Sequence, residues 1–174
     1  MAVHGGIEAV ASAKQHALEA DSADQALDRM MGFLHGPFVL WYAAIAAFTN
    51  PAEAVIIASW TPVGSPLEPG VRVNTLATPH LDEVARRLRN GHVVAVDPGQ
   101  VDLGLLGELL TAGARTTVIG IPLEDDTGVV GVMGFVSSGP EGLDDEDVRL
   151  LQALVAGSSS ALVAACKRAI ATEP

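Results

Sequence analysis

The sequence predicts an α+β fold, an α/β sandwich in which apolar hairpins are covered on both faces. Residues 115–138, RTTVIGIPLEDDTGVVGVMGFVSS, hold two runs rich in Val, Ile, Thr and Phe about a polar turn that contains Gly128. A second pair of apolar runs, FVLWYAAIAAF (38–48) and AVIIASWT (54–61), flanks the turn residues TNPAE. Helical patterns occupy both ends of the chain. None of the apolar runs alternates cleanly with polar residues, so a layer has to pack on each side of the sheet they form.

Residues 7–34 carry Ile7, Val10, Ala17, Leu27, Met30, Met31 and Leu34 at helical spacing, with a break suggested at Asp21-Ser22. Gly36-Pro37 is the expected stop, the glycine closing the helix in a left-handed turn. The alanines at 43, 44, 46 and 47 would equally suit a helix. The aromatic start, the proline-containing turn and the β-branched partner run favour a strand. Residues 62–78, with Pro62, Gly64, Pro66, Pro69 and Gly70, read as an ordered loop without a regular element, of the kind that closes a site. Leu81, Val84 and Leu88 mark a short helix ended by Asn90-Gly91. A strand over 92–97 and a second short helix over 101–110 follow.

In the final hairpin, Gly131 and Gly134 omit side chains from the second strand. Such gaps serve a bulge, a tight helix contact or room for a ligand, and close packing or a bulge is the favoured reading. The chain then turns into its clearest boundary. Asp144 is placed to cap a helix, Asp145, Glu146 and Asp147 suit its positive end, and Leu143 can staple onto Val148. Val148, Leu151, Leu154, Val155, Ser158, Leu162 and Ala165 continue as one stripe, giving a helix to about residue 170.

A chain of 174 residues suits one domain, with an N-terminal helical segment over 5–35, a core over 36–143 and a C-terminal helix over 144–171. The longest clean apolar run, 38–48, is far short of the ~20 residues of a spanning helix, so no membrane segment is expected. The N-terminus lacks the pattern of a secretion signal, which predicts a cytoplasmic protein. With 21 acidic and 10 basic residues, the formal charge of -11 opposes nucleic-acid and anionic-lipid partners. The basic cluster Arg86, Arg87, Arg89 reads as a solvated helix face. Cys166 stands alone, which excludes an intrachain disulfide and a cysteine-based zinc cage, and its place on the long helix suits a small buried hydrophobe.

VIGIPLEDDTGVVGVMGFVSSGPEGLDDEDVRLLQAL, together with LEPGVRVNTL and RLRNGHVVAVD, resembles a GAF domain over roughly residues 20–170. The phrasing is closest to GAF modules of actinobacterial sensor kinases and signalling regulators. The resemblance implies a central antiparallel sheet of five or six strands. The terminal helices would lie on one face, and the short helices and long loop would cover a pocket on the other. It also implies a non-enzymatic sensory role, in which the pocket binds a small molecule and the terminal helices signal to a partner or pair as a homodimer. A scaffold acting through protein contacts alone is the alternative. The residues hold no kinase, cyclase, phosphodiesterase or DNA-binding segment, so a free-standing sensor and one module of a longer protein both stand.

Within that family, free methionine sulfoxide reduction needs several cysteines near the pocket, and covalent bilin attachment needs one there; Cys166 fits neither. The asparagine-lysine motif of cyclic-nucleotide-binding members is missing. No cofactor is expected. Haem held through His80 or His92, which flank the pocket-side helix, is the one case with candidate ligands, against an ordinary surface role for both. No metal-ligand spacing or phosphate loop occurs, and Ser158-Ser159-Ser160 lacks a nucleophile's strained turn. The residues singled out for ligand binding by segment are Trp41, Tyr42, Trp60, Arg72, His80, His92, Arg115 and Phe135, with Trp41 and Trp60 also the largest available core residues. An arginine facing the pocket, Arg72 or Arg115, would suit an anionic ligand.

Overall fold

The structure, a computed structural model, describes residues 3–61, 67–104, 106, 116–138 and 143–172. Two helices, α1 (Val3–Leu18) and α2 (Ala23–Leu34), lead into a hairpin of β1 (Leu40–Asn50) and β2 (Glu53–Trp60). After β3 (Arg72–Asn74) come α3 (Pro79–Arg89) and β4 (Val94–Val96), then the hairpin of β5 (Thr116–Asp125) and β6 (Gly128–Ser138), and last α4 (Asp145–Ala171). The strands form one six-stranded antiparallel sheet in the order β3-β2-β1-β6-β5-β4.

Local chemistry sets the helix boundaries. The expected break between α1 and α2 occurs, and Ser22 Oγ accepts a hydrogen bond from Gln25 N at 3.1 Å to start α2. Thr78 caps α3 in the same way, with Pro79 in its first turn. Asp144 and Asp147 form a reciprocal capping box at the start of α4. The stop after α2 differs from expectation: Gly36 does not take the left-handed turn, and Val39 adopts it instead, with φ of 52°. Phe38 N and Leu40 N hydrogen-bond back to Leu34 O and His35 O, and this fold-back turns Val39 to positive φ.

Two apolar clusters sandwich the sheet. On one face α2 and α4 pack on the strands, with α1 laid across both helices. This cluster holds Leu27, Met30, Leu34, Ile45, Ile119, Met133, Phe135, Leu151 and Leu154, each fully buried. On the other face Tyr42, Ala44, Ala46, Ala54, Ile56, Leu67 and Val136 form the second cluster, and α3 covers part of the sheet there. By length and composition α4 would cross a membrane, yet here its apolar face lies on the sheet.

Three expectations need correction or restriction. Residues 72–74, read as loop, pair as β3 on the edge of β2, with Val55 opposite Arg72 and Glu53 opposite Asn74. Three residues carry no periodicity of their own, and the free edge of β2 supplies the template. Neither tryptophan is fully buried; the largest fully buried side chains are Phe38 and Phe135. Most of the helix expected over 101–110, and residues 62–66 of the loop, lie outside the described residues.

Candidate functional site

Along β6 the side chains alternate between the two clusters. Val132, Gly134 and Val136 face α3, whereas Gly131, Met133 and Phe135 face the terminal helices. The same alternation in β1 turns Ala44, Ala46 and Phe48 toward α3, with Ala43, Ile45 and Ala47 behind them. Where these strands lie side by side, the α3 face is therefore floored by alanine and glycine. Ala44 pairs with Gly134, which pairs with Gly120 on β5, so small residues run in a line across the sheet.

Over this floor stands a cavity of about 150 Å³. Leu81, Val84, Ala85 and Leu88 of α3 form its roof, their spacing placing them on one side of that helix. Ala54, Ile56, Val73, Val94, Val96, Val118 and Val132 make further walls, and Leu67, Leu103 and Leu106 close in from the connecting segments. Among the described residues that line it, Thr75 is the only polar side chain and none is ionisable. Thr75 is 3% exposed, its backbone N–H bonds Ala52 O at 2.9 Å, and its Oγ1 is buried without a hydrogen-bond partner.

Charge stays at the margin. Arg89 lies over the ring of Phe48 at 4.5 Å and donates to Asn50 O at 3.0 Å, which clasps the C-terminal end of α3 to the end of β1. Burial lowers the pKa of the Arg89 guanidinium, with Asp82 opposing, and an arginine stays charged through such a shift.

The residues singled out from the sequence are dispersed. Tyr42 comes nearest to the cavity: its hydroxyl donates to the carbonyl of the lining residue Leu67 at 3.0 Å. Trp41 packs beside it, ring centroids 6.0 Å apart, with Nε1 buried and unpartnered. Trp60 faces the terminal helices and sits 5.5 Å from the His35 ring. A bulge accounts for this, because Ile45 pairs with Ala58 while Ala46 pairs with Ile56, and the extra residue Ile57 reverses the facing beyond it.

Phe135 is fully buried against the helices, as its neighbour Gly134 faces the cavity. Arg72 alternates with the lining residue Val73 and pairs on the surface with Glu53 at 2.5 Å. His80 and His92 are exposed; His80 Nδ1 accepts from Asp102 N at 3.1 Å. Among the described residues no cluster of His, Cys, Asp and Glu suits a metal. Arg115 lies outside the described residues.

The residues that do form the site carry little chemistry by type. Their signal in the sequence is smallness at alternate positions of otherwise large-residue strands: Ala44, Ala46, Ala54, Gly120 and Gly134.

Comparison with protein families matches residues 19–163 to the family described as GAF domain. The chain belongs to the GAF family. GAF domains are sensory and regulatory ligand-binding domains found in signalling proteins. Among solved GAF structures, that of a phosphoenolpyruvate-protein phosphotransferase from Coxiella burnetii superposes with a TM-score of 0.71 at 13% identity, covering 97% of this chain and 99% of the other. The phycoerythrobilin-bound GAF domain of a cyanobacterial phytochrome gives 0.67 at 9% identity, over 97% and 100% of the two chains. Free methionine-R-sulfoxide reductase from Neisseria meningitidis, in complex with its substrate, gives 0.67 at 16% identity, over 92% and 90%. No curated protein matches the chain. At these identities the neighbours share the GAF fold with this chain.

Proposed function

We propose that this GAF domain is a cytoplasmic, non-catalytic sensor that takes a small molecule in the cavity and passes the event through its terminal helices to a signalling partner. The cavity carries the reading. A hollow of this size lined by aliphatic side chains is not what close packing of a core leaves. Filling it would take only larger side chains at Ala44, Ala46 or Gly134. A non-catalytic role is supported by Cys166, whose thiol is buried against the sheet with its pKa pushed up to about 12 by desolvation, far from the thiolate that redox chemistry needs. Tyr42, through Leu67, is proposed to hold the connecting segment against the site. A thermal-shift screen of the purified domain against a broad metabolite set should raise the Tm for at least one compound. A screen in which nothing binds, with the cavity intact, would overturn the reading.

A homodimer through the terminal helices has its own support. Ile7 and Leu18 on α1 are each 48% exposed, and eleven residues at ~100° each bring them to within about 20° of one another on the helix surface. Sedimentation of the wild type and of the Ile7→Glu, Leu18→Glu double variant should show a dimer in the first and a monomer in the second. A wild type that is monomeric at high concentration would dispose of it.

A further inference from the structure

Arg86, Arg87 and Arg89 of α3, expected as one solvated face, differ in their surroundings. Arg86 and Arg87 are exposed, whereas Arg89 is partly buried and holds its guanidinium 4.5 Å from the ring centre of Phe48. That ring is part of the cavity wall, so the arginine and the cavity share one side chain. α3 itself packs on β4, β5 and β6, yet the cavity floor continues past them onto β1 and β2 through Ala44, Ala46, Ala54 and Ile56. Arg89 bridges the roof to that far half, since it also donates to Asn50 O at the end of β1. The other end of α3 is fixed to the segment before Leu103, a further lining residue. There Thr78 Oγ1 donates to Asp102 O at 2.6 Å, and Asp102 N donates to His80 Nδ1 at 3.1 Å. The roof is thus tied down at both ends, and at the β1 end the ring contact and the hydrogen bond come from one side chain.

We infer that α3 is a lid over the cavity and that Arg89 is the latch that sets how often the lid opens. This rests on the sensor reading above and adds the control of access to the same site. Leu81, Val84, Ala85 and Leu88 stand on one side of α3, so they leave the floor together when the helix lifts. A cation–π contact and a hydrogen bond at a partly exposed site are individually weak, so the latch releases at equilibrium while the closed form stays dominant.

Ala85→Cys places a thiol in the roof, and Cys166, buried under α4 in the same chain, reports opening of the domain as a whole. Labelling with a water-soluble disulfide reagent compares the two. The roof thiol should react at least about 10-fold faster than Cys166, because a lid opens at lower cost than the whole domain. Arg89→Met keeps an apolar stem over Phe48 and removes the cation and the donor. It should speed labelling of the roof thiol by about a further 10-fold, the combined effect of one cation–π contact and one hydrogen bond. Arg87→Met, which removes an exposed charge from the same helix, should leave that rate unchanged. A roof thiol that reacts only as fast as Cys166, or one indifferent to Arg89→Met, would overturn the inference. Fluorobenzene, whose ring suits a hollow near 150 Å³, then serves as the probe of entry in the chain without the added thiol. By fluorine NMR, Arg89→Met should accelerate its entry and exit together, with Kd held within about 2-fold because the closed form still predominates. Bound fluorobenzene whose exchange rates ignore Arg89→Met would overturn the lid as the route of entry. The thiol measurement needs no ligand, so the two readings fail separately. A roof that responds to Arg89→Met, beside a metabolite screen in which nothing binds, overturns the sensor reading and supports the latch. A bound metabolite, beside a roof that does not respond, does the reverse.

Discussion

The Sγ of Cys166 on α4 occupies the space that a side chain on Gly131 of β6 would need. A Cβ built on Gly131 would stand 2.6 Å from that sulfur and closer still to Ala46 O on the neighbouring strand. Cys166 is itself fully buried, with its thiol 3.8 Å from the same carbonyl, so helix and sheet meet here with no slack. Gly131→Ala is therefore expected to destabilise the domain by about 1–3 kcal/mol or more, because the obstructing atoms include backbone. Urea unfolding of the variant measures it; a loss under about 0.5 kcal/mol would contradict the contact.

Three residues along the same strand the opposite holds. A Cβ on Gly134 would have only Ala44 O and Ile119 O within 4 Å, at 3.8 and 3.9 Å. Gly134→Ala should fold with stability within about 0.5 kcal/mol of wild type or slightly above it, because alanine restricts the unfolded chain. The same unfolding experiment, run beside Gly131→Ala, checks both faces of the strand at once.

Val39 holds a β-branched, solvent-exposed side chain at φ 52°. The left-handed conformation costs a non-glycine residue about 1–2 kcal/mol, and glycine returns about 0.4–1 of that through the freedom of its unfolded chain. Val39→Gly should thus raise stability by about 0.5–1 kcal/mol and increase Tm in calorimetry. Ser137 Oγ donates to the Phe38 and Val39 carbonyls, at 3.3 and 3.2 Å, and these backbone acceptors are kept in the variant.

Asp125, at the tip of the last hairpin, pairs with Lys167 of α4 and accepts from Thr127 N and Oγ1 at 2.8 and 2.6 Å. The lysine first, then the threonine, holds the Asp125 carboxyl well below the usual carboxylate range. A carboxyl with a depressed folded-state pKa stabilises the fold above its unfolded pKa of about 3.9, and the contribution is lost as pH falls through the lower, folded value. The stability difference between wild type and Lys167→Met should accordingly hold near neutral pH and shrink progressively below about pH 4. A difference that grows on acidification would refute the pairing.

Cys166 provides a probe of global opening. With its thiol buried and its pKa raised to about 12 by desolvation, it should resist a water-soluble disulfide reagent in the native state. Its labelling rate should rise with denaturant in step with unfolding. Rapid labelling of the folded domain would mean that α4 detaches locally.

Much of the fold was legible because its signals were local or redundant. The Asp144 cap, the Ser22 break and the two hairpins each rest on residues within a few positions of one another, and apolar strands without alternation implied two covering layers. The site was less legible. Trp60, Phe135 and Arg72 stand out by the segment they occupy, and each faces away from the cavity for a reason of register. A bulge at Ile57 turns Trp60, and strict alternation turns Phe135 from Gly134 and Arg72 from Val73. A cavity is made by what side chains omit, and the alanines of β1, which resembled a helical run, mark it only once their strand and facing are known. β3 was missed because a three-residue strand is specified by its partner's edge rather than by its own pattern.

The line Ala44, Gly134, Gly120 lies on the same strands as the large residues that anchor the terminal helices, and the alternation keeps the two sets apart. Cavity volume is thus encoded at positions on which the helical layer does not depend. Small changes of side-chain size at Ala44 or Gly134 would resize the chamber while the opposite face keeps its packing, whereas a Cβ on Gly120 would press on Leu88 of α3 at 3.1 Å. On the sensor reading, a change in what the cavity accepts would therefore leave the folding of the domain untouched, one physical route by which a single scaffold diversifies across many small molecules.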